Sequence, residues 1–436
     1  MKSFEAILRL KGFPVSEAKE NLTHIQTMDA VTFNKYQEKS LEEILNHHIA
    51  RNKNYRNFIG NKTPEEWRKI PILTKQVIQR QSSDLLSGGY NSRNVYLNNT
   101  SGSSGLPLYF AKDKFAHAMT WSLILDRYSR HDIDINHSLQ ARFFGIPLTS
   151  KGYLKEKIKD RLSNRVRFPV FDLSDHVLGK YLTIFERRPF EYLNGYSSSL
   201  TIFAKYILRH GLKLKDICPT LKVCITTSEI CTAEDRAIME MAFGVRVVNE
   251  YGAAELDLIA FEDESFDWIM SNENLYFEVV DNNNNPVEEG VEGKLLVTAL
   301  FNKAMPFIRY ELGDVVVIEK EKKGNNQLLK SLIGRTNDYA ILPSGKKSAG
   351  LTFYYISKSL LEEGGFMKEF VVKQLNQRLF RFEYVSDNEL SSSQKKKVHE
   401  AVELYLEPGL DCEFVRKDHI DRTKAGKLKH FERLFE

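Results

Sequence analysis

A stretch of hydroxyl and glycine residues is the strongest chemical signal in this 436-residue sequence. It follows the strand-like segment VYLNN and consists of Thr100, Ser101, Gly102, Ser103, Ser104 and Gly105. Such a loop exposes backbone N–H groups and adds hydroxyl donors, and both suit a polyphosphate. It lacks the lysine of a Walker loop and the spacing of the dinucleotide fingerprint. Taken alone, it is equally compatible with a flexible Ser/Gly turn.

Two carboxylates stand where they could bind a metal ion or a ribose. In NEYGAAE, after the apolar run VRVV, the ring of Tyr251 could stack on a base and Glu255 could bind Mg²⁺ through oxygen. In RYELGD, Asp314 could accept hydrogen bonds from both ribose hydroxyls. The simpler alternatives are a strand that ends in a glycine turn with a solvated glutamate, and an aspartate that caps a turn.

Two cationic residues follow further along the chain. Arg335 in GRTND could donate to a ribose or a phosphate, and the basic run DRTKAGK, which contains Lys427, stands near the C-terminus. Their alternatives are a surface ion pair and a solvated basic loop. Each of these motifs is weak alone, because short patterns match by chance.

The elements that would position these residues change along the chain. The first ninety residues look helical and polar. From Val95, short β-rich runs alternate with helix-like ones, which predicts parallel strands joined by crossover helices. We therefore predict an α/β fold, with a large N-terminal domain of layered sheets and helices (residues 1–337) and a small α+β C-terminal domain (residues 338–436).

Composition excludes several classes of protein. Hydrophobic residues make up 42% and charged residues 28%, as in soluble globular proteins. The net charge of +4 does not require nucleic acid or an anionic membrane as a partner. The four cysteines form no C-x-x-C pair, which favours a reducing compartment without structural zinc. Charges interrupt the N-terminal apolar residues, and no run approaches about 18 apolar residues, so we expect a cytoplasmic protein without membrane insertion.

The order of the motifs is more specific than any one of them. A phosphate-type loop, Tyr-Gly-x-x-Glu, Gly-Asp, Gly-Arg-x-x-Asp and a late Gly-Lys follow one another. In this order the chain, from about Phe33 to Lys427, resembles the adenylate-forming superfamily of acyl- and aryl-CoA ligases, nonribosomal adenylation domains and luciferases. The segments RKIPILTK, NGYSSSL and GRTNDYAILPSGKK resemble the phenylacetate-CoA ligase branch, which includes coenzyme F390 synthetases and CapK-like capsular polysaccharide proteins.

The resemblance implies an ATP site. The implied nucleotide-binding residues are Thr100 to Gly105 around the β- and γ-phosphates, Thr227, Ser228 and Glu229 beside adenine, Tyr251 and Gly252 stacked on adenine, and Asp314 and Arg335 on ribose. Glu255 would bind Mg²⁺, and Asp338 would be the hinge of a small mobile C-terminal domain. Lys427 would reach from that domain into an active site between the two domains.

The implied reaction is the attack of a carboxylate on the α-phosphate of ATP, followed by transfer of the acyl group to a thiol, with coenzyme A as the expected co-substrate. Phe143, Tyr196 and Thr227 are the candidate residues of the substrate pocket. Neighbouring strand residues point to opposite faces, so at most one of Phe143 and Phe144 faces a ligand. Aryl, sugar and amino acids all remain open as substrates, and the branch suggests a homodimer.

Three positions depart from the family pattern. Ala254 stands where the family has a hydroxyl residue, Leu108 stands where many members have lysine, and Leu428 follows Lys427 in a loosened C-terminal motif. The alternatives are therefore adenylyl transfer to a hydroxyl, as in the F390-type relatives, or a CapK-like protein that binds the nucleotide without ligase chemistry. A nucleic-acid binder is disfavoured, because aromatic residues are not interleaved with basic ones.

Overall fold

The computed structural model describes residues 4–60, 66–80, 86–100, 108–146, 150–333, 339–349, 352–353, 356, 367–386, 388–420 and 431–435. The helices are α1 Phe4–Leu10, α2 Val15–Gln26, α3 Ala30–Arg51, α4 Lys53–Ile59, α5 Lys75–Arg80, α6 Lys114–Ser129, α7 Ser150–Leu162, α8 Asp175–Arg187, α9 Ser197–Arg209, α10 Leu214–Ile217, α11 Ala233–Phe243 and α12 Ser392–Tyr405. Among these residues, no helix has both the length and the apolarity that crossing a membrane requires.

The strands alternate with these helices and become denser after α11. They are β1 Leu73–Thr74, β2 Val95–Asn99, β3 Tyr109–Asp113, β4 Gln140–Phe143, β5 Arg165–Phe168, β6 Tyr192–Tyr196, β7 Val223–Thr227, β8 Arg246–Ala253, β9 Asp257–Glu262, β10 Trp268–Met270, β11 Leu275–Val280, β12 Gly293–Ala299, β13 Tyr310–Lys323, β14 Asn326–Ile333, β15 Tyr339–Ile341, β16 Lys347–Ala349, β17 Met367–Gln374, β18 Leu379–Ser386, β19 Asp411–Arg416 and β20 Phe431–Arg433.

One mixed sheet forms the centre of the molecule. Its strands lie in the order β11-β12-β13-β14-β10-β9-β8-β7-β6-β4-β5, and β1 pairs with β13. The pairs from β8 to β5 are parallel, whereas those from β11 to β8 are antiparallel. Helices α7, α8, α9 and α11 each connect one parallel strand to the next. This arrangement confirms the predicted parallel strands with crossover helices.

Alternating residues of the parallel strands fill a core on each face of the sheet. On β7, Cys224 belongs to a cluster with Phe168 and Phe203, whereas Ile225 belongs to a cluster with Leu123 of α6. A strand that is buried on both faces is apolar throughout rather than alternating. Packing on both faces of the sheet fixes where each strand ends, and therefore where the loop that follows the strand begins.

The C-terminal residues form a separate α+β unit. Strands β17 to β20 make a four-stranded sheet in the order β19-β18-β17-β20, and Val398 and Val402 of α12 share a core with Phe382 of that sheet. The ring of Phe171, just after β5, lies 5.1 Å from that of Tyr405. A large mixed sheet with helices and a smaller C-terminal sheet confirm the predicted fold class. Asp338 lies outside the described residues, so the domain boundary stays a prediction.

Strands β2 and β3 form a hairpin apart from the main sheet, and its end begins α6. Asp113, the last residue of β3, accepts hydrogen bonds from the backbone N–H groups of Phe115 and Ala116, both at 2.9 Å. Its other carboxylate oxygen accepts the N–H of Lys303 at 2.7 Å. One buried aspartate therefore caps a helix and joins the hairpin to the segment after β12.

We predict that Asp113→Ala lowers the free energy of unfolding by about 2–3 kcal/mol, because it removes a helix cap and leaves the N–H of Lys303 without its acceptor. The control is Thr232→Ala. Thr232 accepts one hydrogen bond from the N–H of Asp235 at the exposed start of α11. Removing this hydrogen bond should lower the free energy of unfolding by about 1 kcal/mol. Urea unfolding compares the two variants, and equal losses would contradict the double role of Asp113.

Candidate active site

The carboxyl ends of β6, β7 and β8 meet at one edge of the sheet. Tyr196 pairs with Thr227, and Thr227 pairs with Glu250, so these three residues form one row across the strands. In open α/β sheets, ligands bind in the crevice outside the carboxyl ends of parallel strands. The predicted adenine-binding residues Ser228 and Glu229 follow β7 directly and lie at this edge.

A cleft of about 150 Å³ opens beside this row. Its lining residues are Ser228, Glu229, Ile230, Cys231, Asn249, Glu250, Tyr251, Gly252, Trp268, Lys330, Ser331 and Leu332. The structure thus brings together four of the residues that the sequence predicts around adenine. Trp268 of β10 and Lys330 of β14 were not predicted, because they enter through antiparallel pairing between distant segments that no local motif marks.

The Tyr251-Gly252 turn is held by its backbone and by one buried carboxylate. The hydroxyl of Tyr251 donates to Oδ2 of Asp314 at 2.7 Å, and Asp314 is fully buried. A Cβ on Gly252 would lie 2.5 Å from the carbonyl oxygen of Asp257, so only glycine fits. Asp314 therefore positions the aromatic residue of the turn. The ribose contact that the sequence predicts for Asp314 stays a prediction.

Glu255 lies just after this turn and is 6% exposed. Its Oε1 accepts a hydrogen bond from the hydroxyl of Tyr310 at 2.9 Å. Burial, together with the charge of Glu255, holds the pKa of Tyr310 well above its usual value, so the phenol remains a donor. Glu255 is thus a fixed, buried carboxylate next to the predicted adenine site.

The donor set suits magnesium better than a protein-enclosed metal. Within the described ranges, no group of three or more His, Cys, Asp and Glu residues could hold a metal ion. Mg²⁺ is usually bound through one or two carboxylates together with substrate phosphates. A single buried carboxylate at Glu255 fits that pattern.

The two ends of the predicted phosphate loop are hydrogen-bonded to each other. The N–H of Thr100 donates to the carbonyl oxygen of Leu108 at 2.9 Å, and the N–H of Leu108 donates to Oγ1 of Thr100 at 3.0 Å. The loop therefore connects two antiparallel strands, β2 and β3, instead of the strand and helix that the sequence suggests. Residues 101–105 themselves lie outside the described residues, and their phosphate role stays a prediction.

A buried ion pair joins this hairpin to the turn that carries Glu255. The ammonium of Lys112, on β3, contacts the carboxylate of Asp257, and Oγ1 of Thr120 donates to the same carboxylate at 2.7 Å. The side chain of Lys112 is 4% exposed. Asp257 has a φ of +60°, which is rare for a residue other than glycine. Sequence analysis missed this pair, since a lysine within a strand reads as an exposed residue.

The prediction that Phe143 lines the substrate pocket is wrong. Its side chain is fully buried and stacks on Phe168, with the ring centroids 4.9 Å apart. Phe144 points to the opposite face, and its ring lies 4.6 Å from that of Tyr196. Adjacent strand residues point to opposite faces of the sheet, and Phe143 is the one that points into the core.

The cationic side chain of Arg142 lies against the ring of Phe144. The guanidinium of Arg142 lies 3.9 Å from the centre of the Phe144 ring. In the part of the chain that the structure describes, Arg142 forms no ion pair and its buried Nε donates no hydrogen bond. Burial, with the nearby charges of Arg165 and Arg167, lowers its pKa to about 10, so it stays charged at neutral pH.

The carboxyl group of Glu250 is held by the phenol of a tyrosine. The hydroxyl of Tyr128, in α6, donates to its Oε2 at 2.6 Å. Burial raises the pKa of Glu250 above its ordinary value of 4.5, although hydrogen bonds from Tyr128 and Thr227 and the charge of Arg142 oppose the rise. The lining of the cleft thus includes a carboxyl group, that of Glu250, which holds its proton to higher pH than usual.

Three predicted site residues lie beyond the described ranges, in addition to those of the phosphate loop. Arg335, Asp338 and Lys427 all lie outside the described residues. Their roles in ribose binding, hinge motion and catalysis stay predictions.

No protein-family model matches the chain. Two curated proteins are similar in sequence. One is Protein CapK of Staphylococcus aureus, 23% identical over 279 residues, which are 62% of this chain and 59% of CapK. The other is a phenylacetate-coenzyme A ligase of Aromatoleum evansii, 30% identical over 131 residues, which are 28% of this chain and 29% of that protein. The chain spans less than two thirds of the length of either relative.

Solved structures of a 2-hydroxyisobutyryl-CoA ligase share the fold over almost the whole chain. Its postadenylation state with an acyl-AMP covers 94% of this chain and 91% of that protein, with a TM-score of 0.57 and 16% identity. Its thioesterification state with 2-HIB-AMP and CoA covers 94% and 92%, with a TM-score of 0.58 and 15% identity. The likeness to these structures is one of fold.

We predict that the contribution of Glu250 to stability falls as the pH rises above 4.5, because the unfolded chain then loses the Glu250 proton before the folded protein does. The fall ends once the folded carboxyl has also ionised. Glu250→Gln should remove this part of the pH dependence, whereas Glu288→Gln, at an exposed turn, should leave it unchanged. Urea unfolding across the acid-to-neutral range measures both. Identical pH profiles for wild type and Glu250→Gln would contradict the raised pKa.

Proposed function

We propose that this chain, which is similar in sequence and fold to adenylate-forming enzymes, uses ATP to activate a carboxylic acid as an acyl-adenylate and passes the acyl group to a thiol such as coenzyme A. The observation that carries the proposal is the cleft that Ser228 and Tyr251 line. The buried carboxylate of Glu255 follows Tyr251 by four positions in the sequence. Pyrophosphate leaves in the first step and AMP in the second.

The chain supplies three fixed contacts for this reaction. The cleft binds adenine against Tyr251, and the hairpin closed by Thr100 and Leu108 presents its loop to the phosphates. Glu255 would hold Mg²⁺, which would offset negative charge on the phosphates. The ion pair between Lys112 and Asp257 fixes β3 relative to the segment that follows Glu255. Preorganised charges of this kind lower the barrier to a reaction between two anions.

Arg142 extends the proposal to the class of acid. The partly buried guanidinium of Arg142 forms no direct ion pair within the described residues, and it favours an anionic ligand because charge-assisted bonds to carboxylate or phosphate are strong. Phe144 and Tyr196 beside it provide an apolar wall. We therefore favour a substrate with a second anionic group, such as a dicarboxylic or sugar acid, over a purely aromatic one.

Ala254 favours a second candidate function. A hydroxyl donor to the α-phosphate is absent at this position, which costs about 1 kcal/mol when one neutral hydrogen bond is lost. The CapK-like alternative binds Mg·ATP and either transfers the adenylyl group to a hydroxyl or does not turn over. In either case the relation to CapK extends the proposal to polysaccharide biosynthesis in the cytoplasm, and the branch suggests a homodimer.

ATP–pyrophosphate exchange with Mg²⁺ and a panel of aryl, fatty, amino, sugar and dicarboxylic acids tests the function directly. Exchange that depends on one class of acid supports acyl-adenylate formation and identifies that class. Binding of Mg·ATP without exchange for any acid would overturn the ligase proposal and leave the second candidate.

We predict that Lys427→Ala lowers the exchange rate by about 10²–10³-fold, because the ammonium would neutralise charge on the reacting phosphates. Mg·ATP binding, measured by calorimetry, should change little. Lys424→Ala in the same basic segment is the matched control and should keep most of its activity. An unchanged rate in Lys427→Ala would remove this lysine from the mechanism.

We also predict that Arg142→Gln lowers kcat/KM about 10–100-fold for acids with a second anionic group and little for neutral acids of the same size. Arg93→Gln, which changes an exposed arginine, serves as the control. Equal losses for both kinds of acid would mean that Arg142 supports the strand rather than the substrate.

A further inference from the structure

Helix α7 turns its apolar side chains away from the protein. Tyr153, Leu154, Ile158 and Leu162 are 41%, 61%, 52% and 48% exposed. The last three lie four residues apart and therefore form one stripe along the helix. A crossover helix normally packs its apolar stripe against the sheet, so the orientation of α7 is reversed.

The acidic side chains of α7 face inward in place of that stripe. The guanidinium of Arg167, on β5, contacts Glu156 and Asp160, each at 2.9 Å. Arg165 on the same strand also pairs with Asp160, whose side chain is 5% exposed. Ion pairs, rather than apolar packing, thus attach α7 to the sheet. Strand β5 ends the sheet, so the helix stands at the rim of the molecule.

The charged side chains that remain exposed on α7 are basic. They are Lys155, Lys157, Lys159 and Arg161. The described side chains of this helix include no exposed acid, because Glu156 and Asp160 are turned to Arg165 and Arg167. Glu156 also pairs with Lys159 at 2.6 Å, so Lys155, Lys157 and Arg161 are the cations of α7 for which no ion pair is seen among the described residues. The net charge of +4 over the whole chain conceals this local concentration of cations.

We propose that α7 binds the surface of an anionic lipid bilayer. A helix with apolar residues along one stripe and lysines beside it lies in the interface of such a membrane, with the stripe among the acyl chains and the cations at the headgroups. Its 13 residues span about 20 Å, which is enough for all four apolar side chains to enter together.

The charge pattern selects this occupant over a second copy of the chain. A two-fold pairing through α7 would bring two sets of four cations together, and like charges in an interface are unfavourable. An anionic bilayer neutralises the same cations. The active-site cleft opens between β7 and β8, three and four strands from β5, so binding through α7 leaves the cleft accessible.

Flotation with vesicles tests the proposal on the full chain. Wild type should float with vesicles of equal parts phosphatidylcholine and phosphatidylglycerol, and should stay behind with phosphatidylcholine alone or at high salt. Both Leu154→Ser/Ile158→Ser and Lys155→Glu/Lys157→Glu should reduce the bound fraction about tenfold or more. The matched control is Leu404→Ser on α12, which replaces a leucine of similar exposure (56%) and should bind as wild type does.

Three results would overturn the proposal. They are equal binding to neutral and anionic vesicles, binding that survives both double variants, and an absence of binding to either kind of vesicle. Sedimentation in the absence of lipid identifies the alternative occupant. Self-association that Leu154→Ser/Ile158→Ser abolishes would assign the stripe to a second copy. Circular dichroism verifies that these surface variants stay folded.

Discussion

The arrangement of the site depends on the buried ion pair between Lys112 and Asp257. Lys112 lies in the hairpin whose loop the sequence assigns to phosphates, and Asp257 follows the turn that carries Glu255. These two segments belong to different sheets and have no strand pairing with each other. A buried charge that loses its partner costs about 3–5 kcal/mol, so the pair resists separation of the two segments. The pair, together with the packing of Phe110 against Leu256, therefore fixes β3 relative to the segment that carries the proposed metal ligand.

The same logic of paired buried groups continues around the cleft. Tyr251 is held by Asp314, Glu255 by Tyr310, and Glu250 by Tyr128. In each case a phenol donates to a carboxylate that is buried or partly buried. Burial raises the pKa of both Tyr128 and Tyr310, so these two phenols remain donors over the physiological pH range. These bonds hold the side chains around the cleft in place.

The sequence was sufficient for the fold class and for the grouping of four predicted residues at one cleft, because local patterns determine them. Ser228 and Glu229 follow β7, Tyr251 and Gly252 lie near the end of β8, and strand ends of a parallel sheet meet at one edge. The sequence was not sufficient for Phe143 and Phe144. Both are phenylalanine, and only the packing against Phe168 decides which one enters the core. Trp268 and Lys330 could not be predicted either, since they reach the cleft through pairing between segments far apart in sequence.

The two-residue strand β1 has a consequence for the order in which the chain folds. Leu73 pairs with Tyr310, and the guanidinium of Arg309 donates to the carbonyl oxygens of Arg68 and Ile70, 241 and 239 positions earlier. During synthesis, the N-terminal helical segment therefore cannot complete its contacts until the ribosome has released β13. Contacts of such sequence separation slow folding and leave apolar surface exposed meanwhile. The N-terminal segment thus completes its folding only after the strands that follow it in sequence have formed.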